Sequence, residues 1–317
     1  MSQTILITGA MGYLGGRIAQ YMAEHSDDDL RLASRKPHAA RPEWLSRGNF
    51  VPLNLEDMAS CEAACQGVDV VVHLAALNEI ECAADPIAAA LVNGVGTWRL
   101  VQAALHQKVR KFIFFSTAHV YGQPLAGLIT ERTLPRPAHP YASSHHFGEE
   151  AVLEAHDKGH MTGIVLRLSN GVGAPAFMEV NRWTLLANDL CRQAVVDRKL
   201  TLRSSGLALR DFISISDICL GVRHCLGMER TACGDGLFNL GAGVSMSVLD
   251  MAELIAERCE KVLGFRPSIQ RPEPADGERA LSLDFHVDKF RETGFRPAGG
   301  LEAEIDATLR LCHSACA

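Results

Sequence analysis

Short apolar runs alternate with longer amphipathic stretches through the first half of the chain. Ile5-Leu6-Ile7, Leu30-Arg31-Leu32-Ala33, Phe50-Val51-Pro52-Leu53, Val68 to Leu74 and Lys111 to Phe115 have the length and side-chain content of strands. The intervening stretches are long enough for crossover helices, which predicts an α/β fold: a parallel sheet with helices on both faces. The unbroken apolar run Val70-Val71-Val72 fits a central strand buried on both sides. Ile164 to Leu168 reads as a sixth strand, after which Gly171, Gly173 and Pro175 interrupt the rhythm. Phe238-Asn239-Leu240-Gly241 reads as a further short strand, and Val248 to Val262 as an amphipathic helix started by Ser247. The pattern divides the chain into a sheet domain, residues 1–170 plus about 206–240, and a smaller lobe from 171–205 and 241–317 over the sheet's carboxyl edge. Arg266 to Arg279 is expected to be an ordered surface loop.

Bulk properties remove several function classes. The 317 residues, 47% of them hydrophobic and 21% charged, can bury a large core. A net charge of -6 gives no general reason to expect nucleic acid or an anionic membrane as partner. No apolar run approaches the roughly 18 residues that a membrane-spanning helix needs. Thr4 already belongs to a strand pattern with no basic segment before it, so no signal peptide is expected and the location is read as cytoplasmic. The ten cysteines form no Cys-x-x-Cys pair. Cys61/Cys65 and Cys312/Cys316 are each spaced to share one helix face, as buried thiols in a reducing cytosol. The thirteen histidines show no zinc-ligand pattern, and no metal is expected.

Candidate chemistry begins at Thr8-Gly9-Ala10-Met11-Gly12-Tyr13-Leu14-Gly15, between the first strand and the first helix. Gly9 permits a tight turn, Gly12 lets backbone amides approach a pyrophosphate, and Gly15 allows close packing. The helix N-terminus adds oriented N–H groups for phosphate. An NAD site would place a carboxylate about 20 residues on, at the end of the second strand. That position reads Ser34-Arg35-Lys36, without a carboxylate but with cations for a 2'-phosphate. NADP is therefore preferred over NAD, the alternative being a solvated basic turn in an NAD protein.

Further on, Ser116-Thr117-Ala118-His119-Val120-Tyr121-Gly122 follows the fifth strand, and Tyr141 stands 24 residues beyond Thr117 at the head of a long helix. With the glycine turn, these segments resemble the extended short-chain dehydrogenase/reductases, the nucleotide-sugar-modifying NAD-dependent epimerase/dehydratase family. The resemblance implies a Rossmann-type doubly wound sheet and runs from Thr4 to about Ile255. It makes Tyr141 the acid/base for hydride transfer and Thr117 the hydroxyl that orients the reacting oxygen. It places Asn54 and Leu55 at the adenine, Leu74, Ala75 and Ala76 along the nicotinamide half, and Asn93 as a brace for the helix that follows. Towards the substrate it implies Asn78, Thr117, His119, Asn170 and Arg210, the last from Gly206-x-x-x-Arg210-Asp211-Phe212, where a guanidinium binds a diphosphate. An internal salt bridge of Arg210 with Asp211 or Asp217 is the alternative. The family's usual homodimer would pair helices spanning roughly 86–106 and 141–156.

One departure from the family bears directly on the chemistry. His145 stands four residues after Tyr141, where the family carries a lysine that holds the nicotinamide ribose and lowers the tyrosine's pKa. A cation about 5 Å from a phenol, at an effective dielectric near 20, favours phenolate by roughly 3 kcal/mol, about two pKa units. An unperturbed histidine is only about one-quarter protonated at pH 7 and supplies much less charge. Slower ordinary chemistry, a histidine-assisted proton relay and a cofactor-binding module with little turnover all remain open. Ala118 and His119 replace the acidic pair of the 4,6-dehydratases. The sequence therefore points to an epimerase or 4-ketoreductase of nucleotide-diphospho-sugars. An NADPH-dependent reductase of another small carbonyl and a catalytically degenerate NADP-binding module are the alternatives.

Overall fold

The computed structural model describes residues 2–35, 42–177, 179–180 and 182–316. Its main sheet has seven strands: β1 (Thr4–Thr8), β2 (Asp29–Ser34), β3 (Asn49–Pro52), β4 (Val70–His73), β5 (Lys111–Thr117), β7 (Thr162–Leu168) and β11 (Leu237–Leu240). Their spatial order is β11-β7-β5-β4-β1-β2-β3, and every pairing is parallel. This is the doubly wound arrangement that the alternating pattern predicts, with the strand order reversing beside β1.

Alternate side chains of each strand feed two separate cores. Ile5, Ile7, Val70, Val72, Ile113 and Ile164 pack beneath α1 (Tyr13–His25) and α8 (Ile215–Gly227). Leu6, Val71, Phe112, Phe114 and Val165 face α2 (Met58–Cys65), α5 (Gly96–His106) and α6 (Pro140–Asp157). Each such fully buried side chain contributes about 1.5–3 kcal/mol. The segment expected as one helix from 86 to 106 is broken: α3 (Glu79–Ala84) and α4 (Pro86–Ala89) lead into a π-helical stretch, Ala90–Val95, before α5.

A third core gathers α7 (Leu186–Val196), α9 (Val248–Leu263) and α11 (Leu301–Cys316) around Val172 and Phe212. Ser247 and Asp250 form a reciprocal capping box at the start of α9. Leu209–Ser214, which the sequence pattern groups with the sheet domain, forms β10 instead in a small sheet between β8 (Asn170–Val172) and β12 (Ser245–Ser247). The α8 and β11 segments that follow do return to the large sheet. Within Arg266 to Arg279, β13 (Ser268–Gln270) pairs with β9 (Lys199–Thr201). A further pair joins β14 (Leu283–Phe285), just before α10 (Asp288–Glu292), to β6 (Gly127–Ile129). Arg17 on α1 forms an ion pair of 2.6 Å with Glu304 on α11, joining the third core to the sheet. No helix among the described residues is long and apolar enough to cross a membrane.

Candidate active site

The glycine turn is shaped as a cradle. Gly9 has φ +65°, and a Cβ there would lie 2.9 Å from the Ala75 amide nitrogen. A Cβ on Gly15 would lie 2.2 Å from the Gly9 carbonyl oxygen, so the turn closes directly onto α1. Gly12 is the N-cap of α1. No side chain caps that terminus and no carboxylate stands in its first turn, which suits a phosphate. The residues thus fit a dinucleotide, with Gly9, Gly12 and the backbone of Tyr13, Leu14 and Gly15 placed for its phosphates. The Tyr13 side chain itself points away, its hydroxyl donating to the Gly173 carbonyl at 2.7 Å.

The other expected cofactor residues lie at the carboxyl ends of β2, β3 and β4 or in the segments that follow them, and one of them acts indirectly. Ser34 is half-buried and Arg35 exposed at the end of β2; Lys36 lies outside the described residues. Asn54 is exposed and its carboxamide oxygen accepts from the Glu56 amide, while Leu55 is buried beneath it. Leu74, Ala75 and Ala76 continue from β4. Asn93 is 2% exposed and ties the preceding loop to α5, through its carbonyl, and to α6, through its side chain. Its Oδ1 accepts from the Leu77 amide at 2.7 Å, and its Nδ2 donates to Ser144 at 3.1 Å. Its part in a cofactor site is therefore indirect.

Pro140 and Tyr141 open α6, where proline's fixed φ suits the first turn. His139 caps the helix, its Nδ1 accepting from the Tyr141 amide at 3.1 Å. The Tyr141 ring is half-buried and lies 4.2 Å from the His145 ring, centre to centre. Its hydroxyl makes no hydrogen bond to protein among the described residues. Burial raises the phenol's pKa and Glu79 pushes the same way, while Arg182 opposes them. His145 is 4% exposed, and its Nδ1 donates to the Tyr141 carbonyl at 2.9 Å. That bond places the ring hydrogen on Nδ1, leaving Nε2 as an acceptor. Burial lowers its pKa, which favours the neutral imidazole. Thr117 ends β5 at 6% exposure, its Oγ1 accepting from the His119 amide at 3.2 Å.

Beneath these residues lies a buried ion pair. Arg167 on β7 grips Glu149 on α6 through Nε at 2.9 Å and a terminal nitrogen at 2.6 Å. Ser116 donates to the same carboxylate, so β5, β7 and α6 are joined directly under Thr117 and Tyr141.

On the substrate side, Asp211 is buried and consumed by Ser169 and the amides of Ala242, Gly243 and Val244. Asp217 is held by Ser214 and the amides of Ala298 and Gly299. Neither pairs with Arg210, which is exposed and has no ion pair among the described residues. Burial lowers the pKa of His119, as does Arg210, which places these two expected residues in one field; Glu79 acts oppositely. Asn170 donates from Nδ2 to the Asp211 carbonyl at 2.8 Å. Asn78 is drawn aside, its Oδ1 capping α3 by accepting from the Ile80 and Glu81 amides.

A family model, NAD dependent epimerase/dehydratase, matches residues 5–241. The chain belongs to this family. A UDP-glucose 4-epimerase of Drosophila melanogaster is 28% identical over 343 aligned positions, covering 97% of this chain and 95% of the other. The UDP-glucose 4-epimerase of Thermus thermophilus, solved in complex with NAD, superposes with a TM-score of 0.80 at 22% identity, over 98% of this chain and 99% of that one. RMD from Pseudomonas aeruginosa, solved with NADPH, gives a TM-score of 0.77 at 20% identity, over 99% and 100%.

Within this epimerase/dehydratase scaffold the structure adds residues that the sequence did not single out. Glu79 opens α3 and forms an ion pair of 3.3 Å with Arg182, and both act on the Tyr141 phenol. The pair spans 103 positions, so no local pattern announces it. The capping box from Asn78 to Glu81 is the one available signal, since it sets a helix start, and with it Glu79, just beyond β4.

Proposed function

We propose that the protein is an NAD(P)-dependent oxidoreductase or epimerase of nucleotide-diphospho-sugars, with NADP preferred. The observation that carries this reading is Tyr141: a half-buried phenol without a hydrogen-bond partner among the described residues, at the head of α6 in a fold whose glycine turn fits a dinucleotide. A bound dinucleotide supplies or accepts the hydride. Tyr141 gives a proton to, or takes one from, the oxygen on the reacting carbon, and the Thr117 hydroxyl donates to that oxygen and orients it. The Arg210 guanidinium, unpaired among the described residues, is suited to bidentate contact with a diphosphate, with Asn170 and His119 nearer the sugar.

Arg35 at the end of β2, with no carboxylate beside it, supports the NADP preference. Arg35→Ala should weaken NADP by at least about tenfold and NAD by much less. Equal losses in a cofactor titration would reject a 2'-phosphate contact. Turnover of a panel of nucleotide sugars tests the substrate class. The neutral His145 favours a second reading, a cofactor-binding module with little turnover; tight NADP binding without hydride transfer to any sugar would be its signature. As partner we propose a second copy of the chain. Ile87, Leu91 and Phe147 expose large apolar side chains at 71%, 47% and 43% along the face of α4 to α6.

A further inference from the structure

The end of β1, the end of β4, the π-helical stretch and the first turn of α6 share one line of buried hydrogen bonds. Thr8 Oγ1 accepts from the Leu74 and Ala75 amides, both at 3.1 Å, so its own hydrogen goes to His73 Nδ1 at 2.6 Å. The Thr97 hydroxyl donates to the Asn93 carbonyl, because a carbonyl can only accept. His73 Nε2 must then donate to Thr97 Oγ1, at 2.9 Å. From Asn93 the line continues through Nδ2 to Ser144, and from the Ser144 hydroxyl to the Tyr141 carbonyl at 2.9 Å. His145 donates to that same carbonyl. Thr8 and His73 are 0% exposed, Thr97 1%, Asn93 2% and Ser144 4%.

We propose that His73 is a positioning residue: the hydrogen bonds running through its imidazole hold the first turn of α6, and with it Tyr141, in register with the glycine turn. This rests on the reading of Tyr141 as acid/base and of the Gly9–Gly15 turn as the dinucleotide cradle.

Two features make the line a device for alignment rather than general packing. Its direction is fixed at every link, so only one tautomer of His73 satisfies all partners. A second ring hydrogen would face Thr8 Oγ1, which already accepts twice, and burial accordingly holds the His73 pKa down at about 3. It also joins two segments that the main sheet separates. Gly9 abuts Leu74 and Ala75, whose amides Thr8 holds, while Tyr141 stands on a helix packed beyond β4. A shift at one end is thereby transmitted to the other, and misplacement of a reacting group by about 1 Å can cost a hundredfold in rate.

Thr97→Val tests this with little change of shape, since it keeps the methyl facing Gly148, whose Cβ position lies 3.2 Å from Thr97 Cγ2. It leaves the His73 N–H without its acceptor. With cofactor and sugar saturating, kcat should fall about tenfold or more while cofactor Kd and substrate KM stay within about threefold. Amide exchange in the cofactor-free protein should quicken in both 74–77 and 141–146, and Thr97→Ser should restore rate and protection. Ser144→Ala removes the last two links, from Asn93 and to the Tyr141 carbonyl, and should lower kcat in the same sense, which keeps the test available if Thr97→Val does not fold. A folded Thr97→Val or Ser144→Ala protein with wild-type kcat, or exchange altered only around 93–97, overturns the proposal. If the wild-type protein transfers no hydride to any nucleotide sugar, the functional reading fails, and exchange at 141–146 alone decides the role of His73.

Discussion

At position 145 an imidazole does a different job from an ammonium. The sequence located the exchange, because the spacing from Tyr141 is visible in one line of text. It could not show that the ring is buried, donates from Nδ1 to its own helix, and is pushed towards its neutral form. The phenol beside it is pushed towards its protonated form by burial and by Glu79, so the free protein holds Tyr141 as an acid rather than a base. His145→Lys should therefore raise the rate of alcohol oxidation at neutral pH, by up to about tenfold, since a nearby cation favours phenolate. A slower variant in steady-state assays would instead show that the imidazole itself moves a proton. Arg210 is another residue that the sequence singled out without its surroundings. The salt bridge that stood as its alternative is excluded by the full engagement of Asp211 and Asp217 with other donors.

At the scale of elements, the strands of the main sheet were legible because residues such as Val70 to Val72 are buried on both faces and leave an unbroken apolar run. The break at Ala90–Val95 was not. The side-chain bonds of Asn93 to Leu77 and Ser144 stand within it, and such partners are distant in sequence. The three-residue strands β9 and β13 escaped notice for the same reason: each is too short to carry a period, and its partner is remote. The joint between α6, β5 and β7 depends on Glu149. Glu149→Ala leaves the Arg167 guanidinium buried and unpaired, and should destabilise the protein by about 3–5 kcal/mol. Denaturant unfolding checks this, and a loss below about 1 kcal/mol would mean that water or a neighbour replaces the carboxylate.

The whole molecule carries a set of histidines that folding pushes towards their neutral form. Burial lowers the pKa of His73, His145, His119 and, less completely, His224. For a histidine depressed by folding, the unfolded chain binds more protons once the pH drops below its unfolded value. The stabilisation is thus complete above about pH 6.5 and is lost as pH falls. His73, held at about 3, extends that loss down to about pH 3. Unfolding free energy should be flat near pH 7–8 and fall between about pH 6.5 and 5, above the carboxylate range, by up to about 1.4 kcal/mol per unit for each fully buried histidine. Replacing His73 with asparagine should flatten that slope, and an unchanged slope in urea titrations would show that His73 does not contribute.

In the proposed reaction a phenol at the carboxyl rim moves the proton that accompanies hydride transfer. Rapid-mixing measurement of nicotinamide absorbance, with wild type and Tyr141→Phe saturated with cofactor and a turned-over nucleotide sugar, tests it most directly. We predict that Tyr141→Phe binds NADP within about threefold of wild type yet transfers hydride at least about a hundredfold more slowly. Hydride transfer at the wild-type rate in Tyr141→Phe would remove Tyr141 from the proton transfer.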